Sequence, residues 1–359
     1  MNNSRLLLLP LSWIFWLIVK IRHFLFNIKL LKEFSFDIPT ICVGNITVGG
    51  TGKTPHADYI IDLLSKRFNI GFLSRGYGRK SKGFKMVLPE STSTQVGDEP
   101  LQLKLKHPNV DFAVDENRVN GIIALLYQNS NIDAIVLDDA FQHRWIKAGV
   151  NIVLTDYGRL ATRDYFLPAG NLRDSVSELK RAQIIIVTKC PNPLNIEIQA
   201  QIARELRANP NQSIYFTTFE YGNLIPVFGD RANEIPISKT QNIFGLAGIA
   251  QPKPFFKHIA ENALLVGNKT YPDHHDFSVK EILSIFEIIS KRVANDGLLV
   301  VTEKDAARIR NLKLSAEIKE KIYYLPITVR FINNDADSFN SQLINYVGEN
   351  KTNSSLHQD

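Results

Sequence analysis

A glycine-rich loop close to the N-terminus constrains the fold of this 359-residue chain more than any other feature of the sequence. Residues 40–44 form a short β-rich run that is typical of a buried strand. A glycine-rich segment follows, ends with Gly52, Lys53 and Thr54, and leads into an apolar-periodic stretch at residues 57–64. A strand, such a loop and a helix in this order predict a P-loop, in which backbone N–H groups and a lysine hold nucleotide phosphates.

The predicted phosphate loop departs from the general P-loop pattern at one position. Thr47 stands where the first glycine is usual, and the adjacent Gly49 and Gly50 can supply the turn instead. We expect Lys53 to reach the β- and γ-phosphates and Thr54 to ligate Mg²⁺. The residues predicted to bind the nucleotide are Thr47, Val48, Gly49, Gly50, Thr51, Gly52, Lys53 and Thr54.

An acidic pair follows a second predicted strand. The apolar run at residues 132–137 ends in Asp138 and Asp139. The carboxyl end of a parallel strand is where a P-loop protein places its magnesium-binding aspartate. We therefore predict a metal role for at least one of the two carboxylates. His143, in the segment that follows, is either a phosphate-side or water-holding group or a solvated loop histidine.

The order of elements predicts the fold class. Strand–loop–helix units at residues 39–187 are typical of an α/β, P-loop NTPase-like, mostly parallel sheet with helices on both faces. Two β-rich runs, at 214–228 and 322–331, predict a two-stranded hinge to a smaller α/β domain. The predicted segments are an N-terminal interfacial helix (1–33), a P-loop core domain (34–213), a hinge strand (214–228), a smaller α/β domain (229–321), a return hinge strand with a C-terminal helix (322–348) and a polar tail (349–359).

The first 33 residues are apolar and carry most of the net charge of +6, because five basic residues against Glu33 give +4. The apolar run at residues 6–19 would form a helix of about 21 Å, shorter than the roughly 30 Å of bilayer hydrocarbon. Trp13, Trp16 and the interspersed basic residues favour a helix that lies in the membrane interface. Packing on the protein's own core and a true span are the alternatives. The near-neutral remainder predicts no nucleic-acid partner.

A P-loop predicts nucleotide binding, and several uses of the nucleotide compete. Lys189 is followed by Pro191 where a guanine reader needs an aspartate, and Lys304 and Asp305 are adjacent rather than one residue apart. Neither segment carries the guanine code, which favours a kinase. The alternatives are a P-loop GTPase or partner-coupled ATPase of metallochaperone type, and a non-catalytic nucleotide sensor.

A kinase that acts on a hydroxyl needs a proton acceptor near the γ-phosphate and positive charge for the transition state. Carboxylates in the turn at residues 97–100, and the arginines of residues 74–79 with Arg118, are candidates. The carboxylates and imidazoles at residues 271–277 are spaced too tightly to ligate one metal ion together. We expect one of these imidazoles to orient a catalytic carboxylate.

Together these motifs resemble the tetraacyldisaccharide 4′-kinase family, the lipid A 4′-kinases of Gram-negative bacteria. The substitution at Thr47 belongs to the family's own pattern. The motifs that carry the resemblance occur in family order, at residues 44–55 (GNITVGGTGKTP), 74–79 (SRGYGR), 97–100 (GDEP), 138–143 (DDAFQH), 167–173 (LPAGNLR), 272–274 (PDH) and 302–305 (TEKD).

The resemblance implies a reaction and a location. ATP, with Mg²⁺, would phosphorylate the 4′-hydroxyl of a tetraacylated glucosamine disaccharide 1-phosphate and give lipid IVA. The protein would be peripheral on the cytoplasmic face of the bacterial inner membrane, in contact with the lipid substrate and the membrane surface. Protein partners stay open.

The resemblance also implies site residues. Asp98 would be the base near the sugar hydroxyl, with His274 paired to it and Lys53 on the phosphates. The implied metal-site residues are Thr54, Glu99, Asp138 and Asp139. The implied substrate-binding or site-lining residues are Asn45, Arg75, Arg118, Gln142, His143, Arg173 and Asp174.

Overall fold

The computed structural model describes residues 3–293 and 296–355. Its strands are β1 (Thr40–Asn45), β2 (Ile70–Ser74), β3 (Lys85–Met86), β4 (Asp111–Val114), β5 (Ala134–Asp138), β6 (Val150–Asp156), β7 (Ile184–Thr188), β8 (Ser213–Tyr221), β9 (Ile225–Pro226), β10 (Asn242–Ala247), β11 (Leu264–Thr270), β12 (Gly297–Thr302), β13 (Ile322–Leu325) and β14 (Ile327–Phe331). Its α-helices are α1 (Leu9–Asn27), α2 (Lys53–Ser65), α3 (Ser93–Val96), α4 (Asp98–Lys106), α5 (Arg118–Gln128), α6 (Ile196–Leu206), α7 (Lys253–Asn262), α8 (Val279–Val293), α9 (Glu303–Ile309), α10 (Ala316–Lys319) and α11 (Ala336–Ser355). Short 3₁₀ segments lie at Asn3–Leu8, Ala161–Arg163, Val176–Arg181, Arg231–Asn233 and Ile332–Asn334.

Within the described residues, the larger sheet has nine strands in the order β14-β8-β7-β6-β1-β5-β2-β4-β3. Neighbouring strands are parallel except in the edge pairs β14–β8 and β3–β4. Alternate residues of β1 enter opposite cores, Ile41 with Ile60 of α2 and Cys42 with Ile122 of α5. Because both faces are covered, the central strands are apolar throughout rather than alternating.

A smaller five-stranded sheet has the order β11-β10-β12-β13-β9. Strands β8 and β14 pair antiparallel in the larger sheet, and β9 and β13 pair antiparallel in the smaller one. The chain therefore passes between the sheets twice, as two paired strands. The predicted fold class, including the two-stranded hinge, is confirmed. The predicted domain limits stay predictions; α11 extends to Ser355, and residues 356–359 of the predicted tail lie outside the described residues.

The topology of the larger sheet brings three motifs to one edge. Strands β1, β5 and β2 are neighbours and parallel, so their carboxyl ends lie side by side. The phosphate loop follows β1, Asp138 and Asp139 close β5, and the arginine-rich turn at residues 74–79 follows β2. In open α/β sheets, ligands bind at this edge.

Helix α1 packs in the reverse sense of an ordinary surface helix. Its polar residues Ser12 and His23 are buried, whereas Trp13, Ile18 and Phe24 are 59–70% exposed. Among the described residues, the segment Arg5–Asn27 has the length and composition that would allow a helix to cross a membrane, and little of its most apolar part is buried. An apolar face turned to solvent marks an interaction surface, and the helix is a candidate membrane anchor.

A partly buried ion-pair cluster joins α2 to α4. Asp58 accepts a hydrogen bond from His107 Nε2 at 2.6 Å and another from Lys106. Lys106 Nζ also lies 3.7 Å from Glu303 Oε1 of α9, in the smaller domain. Burial alone would raise the pKa of Asp58, but the hydrogen bond from His107 and the charge of Lys106 hold it below its usual value.

We expect Asp58→Asn to destabilise the protein by about 1–3 kcal/mol at pH 7, because a partly buried, charge-assisted hydrogen-bond acceptor is lost. Because the pKa is lowered on folding, the carboxylate stabilises the folded state fully above its unfolded-state pKa of about 3.9. This stabilisation is lost as the pH falls through the folded-state pKa. The difference in the free energy of unfolding between Asp58→Asn and the parent chain should therefore become smaller below about pH 4. Urea unfolding followed by circular dichroism would measure it. Asp62→Asn is the control, since its pair with Lys66 on α2 is exposed; equal effects of both substitutions would contradict the argument.

Candidate active site

The phosphate loop joins β1 to α2 in a tight turn. Gly49 and Gly52 have φ of 95° and 90°, a region that favours glycine because other residues carry a Cβ. The Asn45 amide donates to Thr51 Oγ1 at 2.7 Å, and Thr188 Oγ1 donates to the Thr51 carbonyl at 2.8 Å. The loop is therefore braced by β1 and β7, with the N-terminus of α2 directed at the space where phosphates would bind.

Asp138 is buried at the end of β5, beside this loop. Its Oδ2 accepts a hydrogen bond from Ser74 Oγ at 3.0 Å, while among the described residues its buried Oδ1 has no hydrogen-bond partner. Burial, together with the negative charges of Glu99 and Asp139, raises the pKa of Asp138 above its usual value. An unpartnered buried carboxylate oxygen, close to a hydroxyl and a second carboxylate, fits a hard divalent cation such as Mg²⁺.

Asp139 has different partners. Its carboxylate receives two hydrogen bonds from Arg173, one of them from Nη1 at 3.0 Å, and Lys53 Nζ lies 3.8 Å from Oδ1. Burial would raise the pKa of Asp139, but the charges of Lys53 and Arg173 outweigh it and hold the pKa below its usual value. The two aspartates, equivalent in the sequence, thus differ: Asp138 keeps an open oxygen, and Asp139 is engaged by cations.

The structure brings Asp98 and His274 together, although they are 176 residues apart in sequence. Asp98 begins α4 of the larger domain, and its Oδ2 lies 2.8 Å from His274 Nδ1, on a loop of the smaller domain. The same oxygen accepts a hydrogen bond from Arg308 Nη2. Burial would raise the pKa of Asp98, but the hydrogen bonds from His274 and Arg308 outweigh it and hold the pKa well below its usual range.

Arg308 and Lys304 also belong to the site, although no site role was predicted for either residue from the sequence. Arg308 is buried on α9 and also donates to Asp305 Oδ1 at 2.9 Å and to the Gly248 carbonyl at 3.2 Å. Lys304 Nζ lies 3.3 Å from His274 Nε2 and 3.6 Å from Glu99 Oε1. The sequence does contain one indication of the Asp305–Arg308 pair, because residues three apart on a helix lie on one face and can pair.

Thr302 and Asp305 hold the start of α9, which carries Lys304 and Arg308, in position. Asp305 Oδ2 accepts hydrogen bonds from Thr302 Oγ1 at 2.6 Å and from Gly248 N at 2.8 Å. The motif at residues 302–305 thus anchors the start of α9 through a side-chain cap and fixes the carboxylate that holds Arg308. Its contribution to the site is to direct Lys304 and Arg308 toward Asp98 and His274.

Arg308→Lys is expected to lower kcat about 10- to 100-fold with little change in ATP affinity. A lysine cannot reproduce the fork that joins Asp98, Asp305 and the Gly248 carbonyl, and loss of such supporting contacts typically has effects of this size. Steady-state kinetics and nucleotide titration would check this. Arg204→Lys, at an exposed position of α6, is the control; a parent-like kcat for Arg308→Lys would count against the assignment.

The remaining predicted site residues separate into two groups. Asn45 and Gln142 hold the phosphate loop: Asn45 is fully buried and bonds to Arg173, and Gln142 Nε2 donates to the Asn45 carbonyl at 2.7 Å. Arg173 holds Asp139 as well, and Asp174 is fully buried behind it. Contact of this first group with a substrate stays a prediction.

Arg75, Arg118 and His143 form the second group. Arg75 is exposed, whereas Arg118 is buried and donates to backbone carbonyls, among them that of Asp138 at 3.4 Å. Burial and the positive charges of Arg118 and Arg75 lower the pKa of His143 to about 4, so the imidazole is neutral at pH 7. The neutral imidazole therefore adds no charge of its own beside Arg75 and Arg118, and the charge of Arg118 is opposed by those of Asp138 and Asp139.

Comparison with known proteins identifies relatives of this arrangement. A sequence model of the Tetraacyldisaccharide-1-P 4′-kinase family matches residues 4–347. The chain is 44% identical over 362 residues to the tetraacyldisaccharide 4′-kinase of Bacteroides thetaiotaomicron, covering 98% of this chain and 95% of that protein. It is 44% identical over 352 residues to the enzyme of the same name from Flavobacterium johnsoniae, covering 98% and 99%.

A solved structure shows the same fold. It is the "apo" form of LpxK from Aquifex aeolicus in complex with ATP, which is 26% identical and matches with a TM-score of 0.75 over 96% of this chain and 99% of that one. With a family match that spans nearly the whole chain and relatives of this similarity, the chain belongs to the tetraacyldisaccharide-1-P 4′-kinase family.

Proposed function

We propose that the chain transfers the γ-phosphate of ATP to the 4′-hydroxyl of a tetraacylated glucosamine disaccharide 1-phosphate, which gives lipid IVA in lipid A biosynthesis. Family membership makes the chain a kinase and disfavours the GTPase and partner-coupled ATPase alternatives. The observation that carries the proposal is that the Asp98 cluster and the phosphate loop lie next to each other at one edge of the larger sheet. Glu99 follows Asp98 directly, its charge acts on Asp138, and Asp138 is beside the loop that ends in Lys53.

The phosphate-binding part of the site is supported by loop geometry and charge. Lys53 and the backbone N–H groups of residues 47–54 hold the β- and γ-phosphates. Asp138 Oδ1, Thr54 and Glu99 are the oxygen donors that would hold Mg²⁺, and Asp139 keeps Lys53 and Arg173 in place. When bound, Mg²⁺ neutralises charge on the phosphates. Among the described residues, no three His, Cys, Asp or Glu side chains form a metal cage, which suits an ion bound largely by phosphates and water.

The acceptor part of the site is supported by the Asp98–His274–Arg308 contacts. Both partners engage Oδ2 of Asp98. Asp98 then orients the sugar hydroxyl and takes its proton late in the transfer, which is compatible with a lowered pKa because the transition state of phosphoryl transfer is loose. Lys304, between His274 and Glu99, adds positive charge where negative charge spreads over the transferred group.

A membrane location is supported by helix α1. A substrate with four acyl chains does not leave the bilayer readily, at about 0.8 kcal/mol per exposed CH₂, so the kinase must reach the membrane. Ser12 and His23, roughly 16 Å apart along the helix, both contact the protein body. The helix therefore lies along the protein with its apolar side outward, which favours peripheral attachment in the interface over a span. ATP is cytoplasmic, so the cytoplasmic face of the inner membrane is the face proposed.

Incubating the purified protein with γ-labelled ATP, Mg²⁺ and the tetraacylated disaccharide 1-phosphate in detergent–lipid micelles tests the proposal. We expect label on the lipid only when the disaccharide and Mg²⁺ are both present, and a much lower rate with GTP. Co-sedimentation with phosphatidylglycerol-containing vesicles tests the membrane part separately. Nucleotide hydrolysis that is independent of the lipid, or a preference for GTP, would overturn the assigned reaction.

A further inference from the structure

We infer that His23 of helix α1 is a positioning residue for the phosphate loop, acting through Asp174. His23 lies on the inward face of a helix whose outward face is apolar, and Asp174 ends the segment at residues 167–174, which lies between that helix and the loop. The seating of the membrane-facing helix is thereby coupled to the position of the ATP-binding residues. This inference rests on the proposed function for its kinetic readout.

The pair of His23 and Asp174 is buried and specific. Nε2 of His23 lies 2.6 Å from Asp174 Oδ1, and the two residues are 3% and 0% exposed. Arg144 Nη1 lies 3.1 Å from His23 Nδ1. Nδ1 also lies 3.3 Å from Glu178 Oε2. Because an ionised carboxylate only accepts hydrogen bonds, Nε2 of His23 donates to Asp174. A leucine at position 23 would remove that donor and leave a buried carboxylate with fewer partners.

Asp174 is connected to the phosphate loop through Gln142 and through its own backbone. Its Oδ2 accepts from Gln142 Nε2 at 3.4 Å, and the same nitrogen donates to the carbonyl of Asn45, where β1 ends. The backbone N–H groups of Arg173 and Asp174 both donate to the Ile46 carbonyl, at 3.0 and 3.2 Å. Side-chain and main-chain contacts therefore converge on the first turn of the loop.

The neighbouring residues of the segment extend these contacts along the loop. The N–H of Val48 donates to the Asn171 carbonyl at 2.8 Å, and Thr47 and Leu172 form an antiparallel bridge. Arg173, next to Asp174, reaches Asp139 and Asn45 with its guanidinium. A displacement of Asp174 would move this backbone, and with it the arginine that holds Asp139 beside Lys53.

The other side of the segment rests on helix α1. The N–H of Ala169 donates to Ser12 Oγ at 3.0 Å, and the ring of Phe15 lies 6.1 Å from that of Phe166. Most large apolar side chains of α1 point away from the protein, and Val19 and Phe26 are the apolar side chains of the helix that are buried. Buried polar and apolar contacts together set how the helix is rotated, and His23 is the residue of α1 that contacts the carboxylate linked to the loop through Gln142.

A purely structural role for His23 predicts a different outcome from a positioning role, and two substitutions separate them. His23→Leu removes the Nε2 donor. His23→Gln places an amide N–H close to the same point and should restore most of the function. Ser12→Ala is the matched control, because it removes an equally buried polar contact between the same helix and the same segment, at a residue not bonded to Asp174.

We expect His23→Leu to lower kcat about 10- to 100-fold with less than a threefold change in the KM of the lipid, because small misplacement of reacting groups has effects of this size. His23→Gln should recover kcat to within about threefold, and Ser12→Ala should stay within about twofold of the parent. A loss confined to the lipid KM, or an equal kcat loss in Ser12→Ala, would overturn the inference in favour of simple helix docking.

Hydrogen–deuterium exchange of the full chain provides a readout that does not depend on catalysis. In His23→Leu we expect faster exchange at residues 46–51 and 171–174, and parent-like exchange in the smaller domain. Unchanged exchange at residues 46–51 would overturn the inference even if the kinase assay succeeds. If the parent chain phosphorylates no lipid but the exchange pattern changes as expected, the assigned reaction fails while the coupling between helix and loop stands.

Discussion

Asp98→Asn is expected to lower kcat by about 10² to 10⁴, the range that general acid–base catalysis typically supplies, while the affinity for ATP stays within about twofold. The asparagine still accepts hydrogen bonds from His274 and Arg308, which bind Oδ2 of the native carboxylate. It cannot take the proton of a sugar hydroxyl. Initial rates at saturating lipid, together with calorimetric titration of ATP, would separate the chemical step from nucleotide binding.

His274→Ala should also lower kcat far more than ATP affinity, and the double variant should lose little more than Asp98→Asn alone. Residues that act as one unit have strongly non-additive effects. Asp276→Asn, an exposed carboxylate two residues beyond His274, is the control for the loop and should keep the parent kcat. Loss of ATP binding that matches the loss of kcat would place Asp98 with the nucleotide instead of the acceptor.

Lys53→Met is the second substitution for which we expect a large effect, a fall in kcat of about 10² to 10³. The lysine provides charge at the phosphates, and removing one such fixed electrostatic group has effects of this size. In contrast to Asp98→Asn, it should also weaken ATP binding, because Lys53 contacts phosphates in the ground state as well as in the transition state. The two variants together would distinguish the nucleotide half of the site from the acceptor half.

Methionine preserves the length of the side chain, and Asp139 keeps its bonds to Arg173, so the fold should tolerate the substitution. Lys66→Met, an exposed lysine that follows the same helix, is the matched control and should leave kcat unchanged. Thermal unfolding of both variants checks integrity. Unaltered kinetics in Lys53→Met would remove the basis for regarding residues 47–54 as the phosphate loop of an active kinase.

The nucleotide half of the site could be predicted because it is local. Lys53 and Thr54 follow the glycines directly in the chain, and Asp138 ends a strand whose apolar character is visible in the sequence. Parallel strands with covered faces then place both at one edge of the sheet. The sequence did not show which of Asp138 and Asp139 keeps an oxygen free for a metal ion. That outcome depends on Arg173, which comes from another loop and binds Asp139.

The acceptor half depended on the resemblance to a family, because its parts come from distant segments. Asp98 and His274 are brought together by the docking of two domains, and Arg308 completes the cluster from a helix that lies 210 residues beyond Asp98. Nothing in the residues around position 308 indicates that its partner is a carboxylate in the other domain. The pairing of Arg308 with Asp305 could be inferred from their spacing of three residues on one helix. Its pairing with Asp98 could not be inferred, because the two residues are 210 positions apart.

The sequence by itself determined the phosphate loop, the acidic strand end, the α/β class and an apolar, basic N-terminus, because each follows from residue spacing over one or two elements. Only the tertiary structure decided which face of helix α1 is turned inward, which aspartate keeps an open oxygen, and which cations hold Asp98. Those outcomes depend on groups that meet across the fold, where burial and charge at short range set pKa values and hydrogen bonds. Spacing along a chain does not encode such distances.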